Sequence, residues 1–183
     1  MTRIRICMFV LSVVFITALP AQQGTDSKEF ALGIGFPVMI PVGDFRDMAS
    51  LSVGSSLEAR FSGLIAPVEL RLRAAYYYFC STCNITTSYQ ALSAALYGGY
   101  PLSLHRRIRL TPLVGIGVLY NLVEDIFYEN RGYADMYITA GAGLDFYLLE
   151  RLSLNVFPEY TVFFEQEGSG MFLNIGLGAS YHF

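Results

Sequence analysis

The 183-residue chain has no tryptophan, three cysteines and two histidines, and only 15% of its residues are charged. No run of lysine and arginine forms the basic patch that nucleic acid requires, so no nucleic-acid partner is expected. A single Cys-x-x-Cys with no second pair and no neighbouring histidine is a poor zinc site, and neither a metal nor a cofactor is expected. The most informative shortage is one of apolar length. The composition is membrane-like, with 54% hydrophobic residues and a mean hydropathy of +0.44. Yet beyond residue 21 no stretch reaches the ~20 apolar residues of a spanning helix. A bilayer core admits one other backbone that satisfies all its own polar groups, the closed β-barrel.

What is present fits an exported barrel. Residues 1–21, MTRIRICMFVLSVVFITALPA, have a basic start at Arg3 and Arg5, an apolar run from Ile6 to Leu19, and a Pro20-Ala21 ending. That is the plan of a secretory signal peptide cleaved near Ala21, the alternative being an N-terminal anchor. Cys7 would leave with it. Residues 22–28 then form a short periplasmic lead, and 29–183 form one barrel domain. Loss of two arginines moves the formal charge from -3 to about -5.

A barrel strand alternates apolar residues toward lipid with polar or small ones inside. Eight segments do so. EFALGIGFPVMI sets Phe30, Leu32, Ile34, Phe36, Val38 and Ile40 on one face. LSVGSSLEARF sets Leu57, Ala59 and Phe61 against Glu58 and Arg60, and VELRLRAAYYYF sets Leu70 and Leu72 against Glu69, Arg71 and Arg73. SYQALSAALYGGY is the weakest match. IRLTPLVGIGVLYNL, DMYITAGAGLDFYL, RLSLNVFPEYTVFF and MFLNIGLGASYHF complete the set. Slipping the third segment by one residue would turn Glu69, Arg71 and Arg73 toward lipid, at ~2–4 kcal/mol each near the midplane. Pro112 and Pro158 fall inside strands and remove ladder donors, so a local bulge is expected at each. The connections GLIAP, PLSLHRR and LLER are short, whereas PVGDFRDMAS, CSTCNITTS and VEDIFYENRGYAD are long and EQEGSG is intermediate. Short turns are periplasmic in bacterial barrels, which puts both ends of the domain on that side.

With eight such strands and a terminal aromatic, the chain resembles the small outer-membrane β-barrel family of the OmpA transmembrane domain, OmpX and OmpW. The resemblance covers the whole mature chain and implies an eight-stranded antiparallel up-and-down barrel in the outer membrane. It also implies that Gly178, Tyr181 and Phe183 occupy the places of the C-terminal sorting strand that the outer-membrane assembly machinery reads. The lack of tryptophan departs from the usual interfacial girdle, leaving it to Tyr and Phe.

The interior of such a barrel is only just wide enough for side chains. Arg60, Arg71, Arg73 and Arg109 face Glu58, Glu69, Asp145 and Glu159 there, a balance that suggests an ion-pair network. Two readings follow: a plug that fixes register, or a narrow channel for small solutes or ions. Catalysis is not expected. Ser180 and His182 share a face only because alternation puts any such pair on one face. Cys80 and Cys83 are expected to form a disulfide after export, rather than a redox or zinc site. Asn84-Ile-Thr86 is a chance sequon match. The loops carry Asp44, Asp47, Glu124, Asp125, Glu129, Asp135, Glu165 and Glu167 against Arg46 and Arg131. They form either a solvated acidic rim or a surface for divalent cations or a basic protein. The remaining expected partner is outer-membrane lipid, and the expected state is a monomer.

Overall fold

Strand sequences with one apolar face and one polar face can bury the polar side only by curling into a tube whose outside is lipid. The computed structural model has that form. It describes residues 29–43, 51–65, 67–79, 87–125, 131–165 and 168–183. The lead, Cys80, Cys83 and most of the long-loop residues lie outside the described residues. The elements are β1 (Glu29–Val42), β2 (Ser52–Ile65), β3 (Val68–Phe79), β4 (Thr87–Gly99), β5 (Leu102–His105), β6 (Ile108–Asp125), β7 (Arg131–Leu149), β8 (Leu152–Glu165) and β9 (Gly168–His182). Sequence neighbours pair antiparallel except β4 and β5, which both pair with β6, and β1 pairs with β9 to close the wall.

Nine segments make eight staves. β4 pairs with β6 from Thr87↔Asp125 to Gly99↔Leu113, and β5 resumes the same edge at Leu102↔Leu110. The connection expected over PLSLHRR is therefore mostly strand, and its turn is reduced to Arg106-Arg107. Pro112 sits opposite this short gap between β4 and β5. The expected bulge there is absent: β6 keeps its register with β7 straight through Pro112↔Ala142. Pro112 faces Tyr100, which keeps the register that runs from Gly99↔Leu113 to Leu102↔Leu110 and donates its amide to Pro112 O at 3.2 Å, so only the return bond that proline cannot give is lost. Pro158 likewise keeps register, pairing with Ile175 of β9. On its other side the ladder passes from Gly141↔Glu159 to Leu144↔Val156 without a shift.

A second correction concerns the long connection expected over 123–135. β6 and β7 run on to Asp125 and from Arg131, so much of that segment is a hairpin rather than a loop. Asp135 in particular is not on a solvated rim. Its side chain is buried at the end of the barrel opposite the short turns and accepts a hydrogen bond from Asn121 Nδ2 at 2.7 Å.

The registers fix the shape of the tube. Following paired residues once around the wall leads from Phe30 through Phe61, Leu70, Gly98, Val114, Ala140, Tyr160 and Leu173 back to β1 at Ile40. A stagger of that size on eight staves corresponds to a strand tilt of about 40° and an interior filled by side chains. Outward residues such as Ile34, Leu57, Leu72, Ile116, Ile138 and Leu177 are half or more exposed, as a lipid-facing surface demands. Polar groups on that face pair locally: Tyr76 Oη donates to Gln90 Oε1 at 2.9 Å.

Candidate functional site in the barrel lumen

The inward residues stack in three storeys. One storey holds charge because β2 and β3 alternate it inward at Glu58, Arg60, Glu69, Arg71 and Arg73, while β6, β7 and β8 bring Arg109, Asp145 and Glu159 from the other side. Glu58 is the hub. One of its oxygens accepts from Arg60 Nε at 2.6 Å, and the other from Arg73 Nη2 at 2.6 Å and Nε at 2.8 Å. Arg73 Nη1 crosses the lumen to Glu159 Oε1 at 2.6 Å. Arg60 Nη1 crosses to Asp145 Oδ1 at 2.7 Å, which Asn155 Nδ2 also reaches at 2.7 Å. Arg71 Nε donates to Glu69 Oε1 at 2.6 Å. Arg109 lies 3.3 Å from Asp145 and 3.5 Å from Glu69.

All eight charged side chains are thus within one network, and seven of them are less than 10% exposed. Isolated ions would cost several kcal/mol each in such a place, and only pairing with good geometry makes them tolerable. The guanidinium of Arg73 is also sandwiched, 4.2 Å from the centre of the Phe157 ring and 4.7 Å from that of Tyr97. Two glycines make room for this crowding. A Cβ on Gly143 would stand 2.8 Å from Arg71 Nη1, and one on Gly176 would lie inside the Phe157 ring.

Above the charges is a phenolic storey. Tyr97 Oη donates to Glu159 Oε2 at 3.3 Å, Tyr137 Oη pairs with Ser93 Oγ at 2.7 Å, and Tyr77 Oη accepts from Asn174 Nδ2 at 3.4 Å. These groups surround a cavity of only about 20 Å³, room for one water molecule. At the end opposite the short turns the lining becomes apolar. Phe163 stacks on Phe172 at 5.2 Å, Phe79 approaches Phe172 at 6.3 Å, and Met39 and Leu119 complete the layer. The sequence places these residues in strands without singling out the layer; the signal is the aromatics at inward positions near the strand ends away from the short turns.

The mouth at the short-turn end carries a small polar cluster. His182 Nε2 lies 2.9 Å from Ser153 Oγ, not against Ser180, which instead donates to Asn155 Oδ1 at 2.9 Å. Ser153 is fully buried, and His182 packs against the Tyr147 ring at 5.0 Å. Of the other residues singled out, Gly178 pairs with Gly35 and Asn155, while Tyr181 and Phe183 point outward with their rings edge-to-face at 4.9 Å. Among the described residues no group of three or more His, Cys, Asp or Glu could hold a metal.

A closed eight-stave tube, apolar outside and charged within, defines the class: the chain has the fold of the small eight-stranded outer-membrane β-barrels. Several solved structures share it. Neisserial surface protein A superposes with a TM-score of 0.66 over 83% of this chain and 96% of its own, at 10% identity. Ail, the attachment invasion locus protein of Yersinia pestis, solved in complex with the heparin analogue sucrose octasulfate, gives 0.63 over 86% and 99%, at 17% identity. The N-terminal β-barrel domain of Pseudomonas aeruginosa OprF gives 0.51 over 86% and 100%, at 18% identity. No family model matches the chain, and no curated protein matches it.

Proposed function

We propose that the chain is an integral outer-membrane protein whose lumen is a plug, and whose work is done at the cell surface by its external loops. The observation that carries the plug is the cross-lumen pairing of Arg60 with Asp145 and Arg73 with Glu159, each at 2.6–2.7 Å between side chains that are almost wholly buried. A solute would have to break these pairs and then part the Phe163–Phe172 stack. The short turns face the periplasm and the acidic connections face outward, where they suit a divalent cation or a basic protein surface. The barrel acts as a monomer bathed in outer-membrane lipid, inserted by the assembly machinery, and carries no catalytic group.

Planar-bilayer recording of the refolded protein tests the plug. Wild type is expected to show no steady large openings, and such openings would overturn it. A narrow channel is the second reading, favoured by the small cavity on the axis and by Arg71 Nη2, a buried donor with no hydrogen-bond acceptor. If that reading holds, Arg71→Ala should raise an existing small conductance instead of creating one. For the surface role, deletion of residues 126–130 is expected to abolish binding of a loop partner while leaving the barrel folded; unchanged binding would count against it. Ser180→Ala is expected to leave esterase turnover at background.

A further inference from the structure

The three short turns differ in chemistry. The β2–β3 turn is apolar, with Leu64 and Ile65 each 60% exposed. The other two are basic: Arg106 and Arg107 follow the exposed His105 in the β5–β6 turn, and Arg151 follows Glu150 in the β7–β8 turn. All of these side chains are exposed. The two basic turns sit on adjacent hairpins and are tied together, since Tyr147 N donates to Arg107 O at 2.9 Å. Directly on their membrane side, Leu104, Leu148 and Leu149 turn outward and are 62%, 52% and 67% exposed.

Leucines this exposed belong among acyl chains, so the arginines one or two residues further on stand at the height of the phosphates. Within the two turns three guanidiniums stand beside one carboxylate, Glu150, and Arg151 also hydrogen-bonds the Tyr181 hydroxyl. Guanidinium is the side chain best matched to a phosphate diester, through paired N–H donors. We infer that the β5–β6 and β7–β8 turns form a ledge that binds the headgroup phosphates of anionic phospholipid, in the leaflet on the side of the short turns. With the orientation proposed above, that is the periplasmic leaflet. The ledge would hold the barrel at a fixed depth on one flank, while the apolar β2–β3 turn holds the opposite flank by burial alone.

Native mass spectrometry of delipidated, refolded protein titrated with phosphatidylglycerol and with phosphatidylcholine of the same chains tests the ledge. Wild type should retain the anionic lipid in preference. Replacing Arg106, Arg107 and Arg151 by Gln should weaken that preference about fivefold per arginine, and replacement by Lys should keep most of it. Equal preference in wild type and the Gln variant would overturn the inference. So would displacement of the lipid by inorganic phosphate alone, which would mark a free-phosphate site. Both variants lie in exposed turns, and a heat-sensitive gel-mobility shift checks that they fold. Orientation is read separately, by labelling Arg106→Cys in intact cells with an impermeant maleimide. Labelling from outside would overturn the proposed orientation and leave the lipid result standing on its own.

Discussion

Arg73 shows how much the interior depends on single groups. Its three donor nitrogens serve Glu58 and Glu159, and its flat face lies between Phe157 and Tyr97. Arg73→Met fills much of the same space but strands the buried Glu159 carboxylate and leaves Glu58 with Arg60 as its close partner, which should cost about 3–5 kcal/mol. Urea unfolding in lipid vesicles, followed by gel mobility because the chain has no indole to report, would measure it. Adding Glu159→Leu to that variant should recover part of the loss, since Glu159 would no longer be left without its arginine. Gly143→Val places branched carbon against the Arg71 guanidinium. It is expected to lower stability by about 1–3 kcal/mol, seen as earlier heat modification on a gel. Alternation in the sequence tells which face such a residue takes. It does not tell its partner: Arg73 and Glu159 are 86 positions apart, and only closure and stagger of the wall bring them together.

At the scale of the element, the outward faces were readable from period two because a one-residue slip is so costly near β3. The interruption between β4 and β5 was not. Pro112 announced a missing donor, but a single strand cannot say whether its neighbour will bulge or break. In the structure it does neither: bonding thins at Tyr100-Pro101, but the register runs on and Tyr100 N donates to Pro112 O at 3.2 Å. The length of the β6–β7 hairpin was missed for a related reason. Polar and aromatic residues in VEDIFYENRGYAD read as loop, yet a hairpin leaving the membrane no longer needs a lipid-facing stripe. Pro112→Ala restores an amide opposite Tyr100, and with it one ladder bond, so stability should rise by about 0.5–1.5 kcal/mol. Ile116→Arg, by contrast, puts a charge on the lipid face and should cost about 2–4 kcal/mol near the midplane. Vesicle unfolding of the two variants side by side checks both expectations.

For the whole molecule, the exterior accounts for the unusual composition. Large hydrophobic residues that a water-soluble protein would hide are spread over the outer wall, and the centre is given to arginine, glutamate and tyrosine. The refolded chain should therefore stay in solution only with detergent or lipid and show a far-ultraviolet spectrum dominated by strand. A monodisperse monomer in plain buffer would contradict the architecture. Composition and apolar run length made the barrel legible before any strand was assigned. The vertical ordering of the lumen was not, because height in a tilted wall depends on the stagger, and the stagger is a property of all eight staves together.

The stagger also decides when charge is neutralised during folding. β2 and β3 hold three arginines against two glutamates, whereas β6, β7 and β8 hold Arg109 against Asp145 and Glu159. Each half of the chain thus carries a surplus that the other half cancels. A fragment ending before β6 would leave a cation without its counter-ion, and a fragment starting there would leave an anion. Separately expressed halves should accordingly recombine into a heat-resistant whole, and reversing the sign of one half alone should prevent that reunion.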